Sequence, residues 1–374
     1  MDADPKLVRD IFNAGGKSLK KCMQCATCSV VCPLSPDENP FPRKEMIWAQ
    51  WGLREKLLKD RDIWLCYQCN DCSAYCPRGA QPGQVMAALR AVTIANYSFP
   101  SWFARLFLNS AYLPLLYVIP IVLMGIYFAT LAPHGFALPA GKVVFSNWIP
   151  HEHVEAIGFI LGAWVFLAIG IGIFRYWTAL SSERGRMYYI PKGVEGEGKG
   201  PVDVVEGLFY AVLDVLFHRR FNECGESKYR FFAHLGVFYG FILLGISTLI
   251  AVVYMLQGKP LGLPLTDPAK IIGNTGAVLL FFGATWLVYE RFVKKDKVGF
   301  GGYFDWFFLG NLYAVAITGI LTEALRLANV AAAYYMYAIH LIFVFVLLIY
   351  APYSKFAHLA YRTIALAHEK SFGR

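Results

Sequence analysis

The sequence predicts an all-α protein, in which a charged helical domain of residues 1–100 is followed by six membrane-spanning helices in residues 101–374. Three observations predict this organisation. Residues 1–100 have a mixed, charged composition and contain eight of the nine cysteines. The rest of the chain falls into long apolar runs. A hydrophobic content of 57% and a mean hydropathy of +0.44 are too apolar for an ordinary soluble protein.

A cysteine pattern occurs twice in the N-terminal domain. Each copy reads C-x2-C-x2-C-x3-C and is followed by a proline, Pro33 or Pro77. This run is typical of bacterial cubane 4Fe-4S clusters, in which the fourth cysteine of each run ligates the other cluster. Three thiolates in one short loop can ligate three of the four iron atoms of a cubane, but the same loop cannot reach the fourth iron. The predicted ligand sets are Cys22, Cys25, Cys28 and Cys76 for one cluster, and Cys66, Cys69, Cys72 and Cys32 for the other.

Structural zinc and disulfide bonds are the alternatives for these cysteines. Zinc usually takes paired C-x2-C knuckles that close a tetrahedron, whereas the third cysteine and the proline of each run favour clusters. Disulfides need an oxidising compartment, and the start Met1-Asp2-Ala3-Asp4 has no basic stretch followed by a hydrophobic one that would direct export. The ninth cysteine, Cys224, is interpreted as a loop residue without a role.

Helices are expected between and after the two cysteine runs. Pro42 opens a helical pattern that continues to about Lys59. A second helix is expected over residues 84–94. The predicted fold of residues 1–100 is therefore an α-helical ferredoxin domain with two 4Fe-4S clusters.

Six apolar runs in residues 101–374 have about the length of 20 residues that crosses a bilayer. The predicted spans are Leu113–Leu131, Val154–Trp177, Phe231–Leu256, Ile271–Val288, Trp306–Ala324 and Ala332–Tyr353. Six such runs in succession are hard to bury inside a soluble core, so the lipid bilayer is an expected partner.

Basic residues predict the orientation of the spans. Lysine and arginine are concentrated in the loop near residues 178–229, in the connection between spans four and five, and in the C-terminal tail. By the positive-inside rule, both termini and the N-terminal domain lie in the cytoplasm, and the protein is a multi-pass protein of the cytoplasmic membrane. Most of the net charge of +9 belongs to these segments, so nucleic acid is not an expected partner.

Histidines at membrane depth are candidate axial ligands of haem b. His340 and His358 are separated by five helical turns, a rise of about 27 Å, so both imidazoles are expected to project from one face of one helix. His234 lies at the depth that opposes His358 around an inner haem. Two haems are predicted, the outer one at His340.

The outer haem needs a second ligand, and three histidines are candidates for it. They are His153, His151 and His134, and the alternative is that the outer haem is absent. His218 and His368 lie towards the cytoplasmic side and are interpreted as ordinary interfacial residues.

Two further features concern the membrane surface and the protons of a quinone. Val202–Phe217 has helical spacing of apolar residues and is expected to lie on the membrane or against a partner. Glu323 and Glu155 are the candidate proton-exchanging carboxylates. The alternative for Glu323 is a salt bridge with Arg326 one turn on.

Residues 15–95 resemble the iron–sulfur C subunit of heterodisulfide reductase. The resemblance rests on the two cysteine runs, the helical insert, and the segments Arg78-Gly79 and Ala87-Ala88-Leu89-Arg90. Residues 205–362 resemble a cytochrome b of the nitrate reductase gamma-subunit type through His340, His358 and His234. That family has a second histidine ten residues after the first, where this chain has Leu244.

The fusion of these two parts is similar to the C subunit of the quinone-interacting membrane-bound oxidoreductase complexes of sulfate reducers. The resemblance implies a six-helix transmembrane cytochrome b bundle that exchanges electrons between menaquinone and cytoplasmic flavin/iron–sulfur subunits, which serve adenylylsulfate reductase. The expected function is an electron relay that oxidises menaquinol, in a subunit that is no complete enzyme on its own. The alternatives are the membrane arm of a heterodisulfide reductase-type complex and a non-catalytic redox-sensing membrane anchor.

Overall fold

The computed structural model describes residues 2–182, 201–219, 228–259, 263–294, 299 and 301–373. Sixteen α-helices and no β-strand are found in these ranges, which confirms the predicted all-α class. Cys224, residues 193–200 and many of the basic loop residues lie outside the described ranges.

The N-terminal part of the chain consists of short helices arranged around one longer helix. They are α1 (Pro5–Ile11), α2 (Thr27–Val30), α3 (Arg43–Gln50), α4 (Arg54–Leu58), α5 (Asp62–Leu65), α6 (Asp71–Ala74), α7 (Pro82–Tyr97) and α8 (Ser101–Ala104). Helix α7 begins with a proline at its first position and presents most of its length to the domain core. The helix expected over residues 84–94 is therefore longer by a few residues at both ends.

The helix expected from Pro42 to Lys59 is interrupted in the structure. Helix α3 ends at Gln50 and α4 begins at Arg54, because Gly52 adopts a left-handed φ of 66°. The carbonyl of Gly52 accepts the backbone N–H of Asp4 at 2.9 Å, so the break receives the N-terminal segment. A Cβ at position 52 would lie 2.7 Å from the Asp4 carbonyl oxygen, which explains why glycine is present.

The C-terminal part contains six long helices with the length and apolarity of membrane spans. The long helices are α9 (Leu113–Thr130), α10 (His151–Leu180), α12 (Lys228–Leu256), α13 (Pro268–Val293), α14 (Tyr303–Leu327) and α15 (Ala332–Ile349); the shorter α11 (Pro201–Phe217) and α16 (His358–Phe372) complete this part. Helix α12 pairs with α13, α13 with α14, α14 with α15, and α15 with both α9 and α10.

The expectation that His340 and His358 share one helix is wrong. Helix α15 ends at Ile349, and two short 3₁₀ turns at Ala351–Tyr353 and Lys355–Ala357 precede α16, which begins at His358. The cause is Pro352, because a proline has no N–H to continue the helical hydrogen bonds and its ring clashes with the preceding turn. The two imidazoles are therefore placed by separate helices.

Helix α11 confirms the helical pattern of residues 202–217 but covers a surface of this chain itself. It packs along α16, with Ala211 fully buried and Lys370 of α16 forming a salt bridge of 2.9 Å with Asp214. The side of α11 that packs on α16 is thus the one with Gly207, Ala211 and Asp214, whereas Val205, Leu208, Phe209 and Val212 of its apolar face are exposed.

The N-terminal domain rests on one end of the helix bundle, where α10 ends and α16 begins. Trp64 of α5 stacks on Tyr361 of α16 at 5.3 Å between ring centroids. Tyr176 near the end of α10 donates to the carbonyl of Asp60 at 3.3 Å, and Ser98 donates to the carbonyl of Pro352 at 3.0 Å. The cysteine-bearing domain and the C-terminal helix therefore lie at the same end of the bundle.

Helices α12 and α13 approach closely because glycines line their contact, and this predicts a stability difference. A Cβ added at Gly240 would lie 2.8 Å from the carbonyl oxygen of Gly276, whereas one at Gly245 on the same helix meets nothing within 4 Å. We expect Gly240→Ala to lower the midpoint of thermal unfolding in detergent, because overpacking costs about 1–3 kcal/mol. Gly245→Ala is the matched control and should unfold like the parent. Equal midpoints for both variants would contradict this packing.

Candidate redox-cofactor site

The two cysteine runs adopt the same unusual backbone. Gln24 and Gln68, each two residues after the first cysteine of its run, have φ values of 60° and 58°. Ala26 and Asn70, two residues further on, have φ values of 68° and 76°, and a four-residue helix follows each. A left-handed conformation costs a non-glycine residue roughly 1–2 kcal/mol, and such positions cluster at ligand-binding sites. The repeated sequence is therefore also a repeated loop structure.

The fourth cysteine of each run lies near cysteines of the other run, Cys76 near Cys22 and Cys28, and Cys32 near Cys72. Burial, followed by the neighbouring Cys22 and Cys76 thiols, raises the pKa of Cys28 to about 11. In the second set, burial and then the Cys66, Cys69 and Cys32 thiols raise the pKa of Cys72. Helices α2 and α6, which follow the two loops, are in contact. These neighbours are consistent with the crossed ligand sets, which stay a prediction.

The spacing of the sulfur atoms fits clusters better than single zinc ions. Four sulfurs around one zinc at 2.3 Å stand about 3.8 Å apart. Among the described residues, the only group of three or more ligand-type atoms within 4.8 Å of one another is Glu45, Asp60 and Asp62, beside the Lys44 ammonium, and it contains no cysteine. A cubane spreads its four thiolates over the corners of a cube, so its ligands stand farther apart than the four sulfurs around one zinc ion.

Several N–H groups point at the cysteine sulfurs. The backbone N–H of Gln68 donates to Cys66 Sγ at 3.3 Å, and the Gln24 side chain donates to Cys22 Sγ at 3.4 Å. The backbone N–H of Ala80 donates to Cys76 Sγ at 3.3 Å. Hydrogen bonds to cluster sulfurs are one of the means by which a protein sets cluster potentials. Both loops therefore offer the polar surroundings that a bound cluster needs.

A cavity of about 470 Å³ lies between the helix bundle and the second cysteine loop. His234 of α12 and His358 of α16 line it, and so do Tyr67 and Gln68, which stand between Cys66 and Cys69. Its volume is within the usual range for cofactor pockets. Much of its wall is apolar, contributed by Val237, Phe238, Phe241, Ile242, Leu312 and Phe356.

The ring nitrogens of these two histidines are held as axial ligands require. His358 Nδ1 lies 2.5 Å from the carbonyl of Lys355, which can only accept, so Nδ1 carries the proton and Nε2 is the candidate ligand atom. His234 Nδ1 lies 2.9 Å from Nε2 of His218, which likewise makes Nε2 of His234 the candidate ligand atom. Burial and then the Lys355 ammonium lower the pKa of His358 to about 3, so this imidazole is neutral at pH 7. These residues fit a haem held by two imidazoles.

His218 was missed by the sequence reasoning, and His368 was interpreted wrongly with it. His218 is buried, lines the cavity and contacts His234, rather than lying exposed at an interface. His368 is also buried, with its Nδ1 3.1 Å from a guanidinium nitrogen of Arg61. The only sequence signal for His218 is its place directly after the apolar face of the amphipathic helix α11.

His340 and His153, two candidates for the outer haem, each have a hydrogen-bonding partner. His340 Nδ1 lies 3.0 Å from the hydroxyl of Thr318 on α14, and its ring packs on Gly319. His153 Nδ1 lies 2.9 Å from the hydroxyl of Tyr127 on α9. Each imidazole thus has its own polar partner on a different helix, and His134 is exposed in the connection after α9.

Glu323 forms the salt bridge that was the alternative to a proton-transfer role. Its carboxylate accepts from Arg326 at 2.8 Å and from Lys270 at 3.1 Å. The two cations occupy both carboxylate oxygens. This geometry favours a structural tie between the ends of α13 and α14.

Comparison with known proteins gives two different likenesses. Residues 18–80 match the 4Fe-4S dicluster domain family. A protein of Archaeoglobus profundus that is similar to the C subunit of heterodisulfide reductase is 35% identical over 101 residues, which is 27% of this chain and 54% of that protein. The E subunit of the dihydromethanophenazine:CoB–CoM heterodisulfide reductase of Methanosarcina acetivorans is 27% identical over 193 residues, 47% of this chain and 69% of that protein.

A third relative is similar along nearly the whole chain. Citrate utilization protein B of Escherichia coli is 25% identical over an alignment of 376 positions, covering 95% of this chain and 92% of that protein. The chain spans about half or less of the length of the relatives that match its N-terminal domain alone. No solved structure matches significantly. The comparisons confirm the resemblance to the C subunit of heterodisulfide reductase at the N-terminus, and they add a membrane subunit of such a reductase over the C-terminal region.

Proposed function

We propose that this chain is the membrane subunit of a respiratory complex that oxidises menaquinol and relays electrons through haem b and two 4Fe-4S clusters to cytoplasmic flavin/iron–sulfur subunits. The observation that carries the proposal is the cavity shared by His234, His358 and the second cysteine loop. A haem held by these imidazoles would border the loop of one cluster, with no other domain between them. Transfer between the membrane and the N-terminal domain is the chemistry that this contact serves.

The protein part of the relay is positioning. Haem and clusters, when bound, supply one-electron chemistry. His234 and His358 offer two nitrogens across one cavity, and Lys355 fixes the ring of His358 through its carbonyl. Arg362, one turn after His358 on α16, donates to the carbonyl of Cys66 at 3.1 Å. Helix α16 therefore connects the imidazole of His358 to the second cysteine loop. This connection would hold the haem and the cluster at a fixed distance from each other.

The direction of the relay across the membrane follows from charge. The end of the bundle that carries the N-terminal domain also carries α16, and the positive-inside rule, applied to the sequence, supports a cytoplasmic position for this end. Electrons taken from menaquinol would thus leave on the cytoplasmic side, to partner subunits and, by the resemblance to complexes of sulfate reducers, towards adenylylsulfate reductase in sulfate reduction. The proposal places one haem b at the cavity, and a second haem at His340 stays a prediction.

The membrane arm of a heterodisulfide reductase-type complex is the second candidate. The similarity to a reductase subunit whose name specifies dihydromethanophenazine favours it, because the lipid carrier would then differ from menaquinol. The metal centres and their order would be the same. The subunits that co-purify with the chain and its choice of lipid donor distinguish the two candidates.

The test is anaerobic addition of a menaquinol analogue to the purified complex, with haem followed by absorbance and clusters by EPR. We expect the haem and then the clusters to be reduced. A haem that stays oxidised while the clusters are reduced from soluble donors alone would falsify the relay and favour the redox-sensing anchor. Reduction by a phenazine donor but not by the menaquinol analogue would favour the second candidate.

A further inference from the structure

Three arginines from three separate helices converge on the second cysteine loop. Arg90 of α7 donates to the carbonyl of Cys66 at 2.6 Å, and Arg362 of α16 donates to the same oxygen at 3.1 Å. Arg230 of α12 donates to the carbonyl of Gln68 at 3.1 Å. All three side chains line the cavity that His234 and His358 share. The loop is therefore held by guanidinium groups on its cavity side.

The first cysteine loop has the same backbone but a different donor at the equivalent position. The carbonyl of Cys22, which corresponds to that of Cys66, accepts from the neutral side-chain amide of Gln50 at 2.9 Å. Gln50 in turn accepts from Gln24 at 2.9 Å. Arg43 lies close enough to Cys22 and Cys25 to lower the pKa of both thiols, but burial and hydrogen bonding affect these pKa values more. The two copies of the motif thus differ in charge: arginines donate to the carbonyls of Cys66 and Gln68, whereas a neutral amide donates to the carbonyl of Cys22.

We propose that Arg90, Arg230 and Arg362 raise the reduction potential of the cluster on Cys66, Cys69, Cys72 and Cys32 above that of the other cluster. Reduction adds one electron to the cluster and makes or breaks no bond, so nearby positive charge favours the reduced form. The first electron that enters the N-terminal domain then resides beside the membrane cavity. The three arginines are tuning residues that make this cluster the electron acceptor of the haem site.

Counter-charges near the loop reduce this effect but do not cancel it. Glu290 lies 3.6 Å from Arg230 and also pairs with Lys294 at 3.7 Å, so its carboxylate is shared between two cations. Asp71, the first residue of α6 after the loop, adds one negative charge against the three positive charges of the arginines. Arg362 additionally lies over the ring of Tyr67 at 5.1 Å, which keeps its charge against the loop.

The experiment is an EPR-monitored redox titration of the full-length protein in its complex. Arg362→Gln and Arg230→Gln are each expected to lower the potential of one cluster by about 59 mV, a tenfold change in a one-electron equilibrium. The affected cluster should be the one that is lost in Cys66→Ser. Arg362→Lys, which keeps a cation, should lie closer to the parent. Arg54→Gln removes an arginine that pairs with Asp4 elsewhere in the domain, and it should move neither potential.

A second variant adds a positive charge instead of removing one, so the proposal can be tested even if the arginine variants lose the cluster. Gln50→Lys places a cation on the Cys22 carbonyl and should raise the potential of the first-run cluster, which narrows the difference between the two. Unshifted potentials in Arg362→Gln and Arg230→Gln at full iron content would overturn the proposal. If those variants lose the cluster, an unshifted first-run potential in Gln50→Lys would overturn it.

This inference rests on the proposed cluster assignments, and the two can fail separately. Less iron in the parent protein than two 4Fe-4S clusters contain contradicts the proposed function. Full iron content with potentials that ignore the arginine charges contradicts only the tuning role.

Discussion

Replacing Cys76 with serine is expected to remove the cluster of the first cysteine run and to leave that of the second. Cys76 belongs to the second run by sequence, but its thiol lies with those of Cys22 and Cys28 in the fold. Serine is a poor ligand for iron, so the cubane at this site loses one corner. We expect about half of the cluster iron to be lost, as measured by chemical iron analysis and EPR. The residual spectrum should match that of Cys22→Ser.

The reciprocal variants and a spare cysteine control this experiment. Cys32→Ser should leave the same residual spectrum as Cys66→Ser, because both would ligate the second cluster. Cys224→Ser removes a cysteine outside both runs and should keep the full iron content. If Cys76→Ser instead matches Cys66→Ser, each run ligates its own cluster and the crossed sets are wrong.

His358→Ala and His234→Ala are each expected to abolish the low-spin haem b spectrum of the cavity. Both imidazoles line one cavity, and Nδ1 of each is engaged by Lys355 or His218, which makes Nε2 the candidate ligand atom. Two strong-field nitrogen ligands give a low-spin haem, and loss of either leaves an open position or no haem. Reduced-minus-oxidised absorbance and EPR of the purified complex report the outcome.

Two other histidines serve as controls for the ligand pair. His134→Ala changes an exposed residue and should leave the haem spectrum as in the parent. His218→Gln removes the partner of His234 and should keep a low-spin haem with an altered potential, because the partner of a ligating imidazole tunes it. Unchanged haem content in both His234→Ala and His358→Ala would rule out the pair. Loss of haem in His218→Gln but not in His234→Ala would make His218 the ligand.

The overall fold could be predicted from sequence patterns that have strong physical causes. The interruptions of individual helices were not predicted. Runs of about 20 apolar residues have few alternatives to crossing a bilayer, so all six spans were found to within a few residues. The break at Gly52 depends on the approach of Asp4 from a distant part of the chain, which no local pattern reveals. Pro352 was visible in the sequence, and its effect on the last span should have carried more weight than the five-turn spacing of His340 and His358.

In the candidate site, too, features set by neighbouring residues could be predicted, and features set by tertiary packing could not. The cysteine spacing specified the chemistry of the N-terminal domain because the geometry of a cubane constrains neighbouring residues. The position of His218 depends on the packing of α11 along α16, two helices more than a hundred residues apart in the chain. Arg90, Arg230 and Arg362 meet at one loop for the same reason. Contacts that three helices make together cannot be read from any one of them.

The most direct test of the relay is the reduction of the clusters by quinol in His358→Ala. The parent complex is mixed anaerobically with a menaquinol analogue, and haem absorbance and cluster EPR are followed in time. The account predicts that haem reduction precedes cluster reduction in the parent. In His358→Ala, the clusters should remain oxidised with quinol yet be reduced by dithionite. Clusters of His358→Ala that are reduced by quinol at the parental rate would contradict the account, because electrons would then reach them without the cavity.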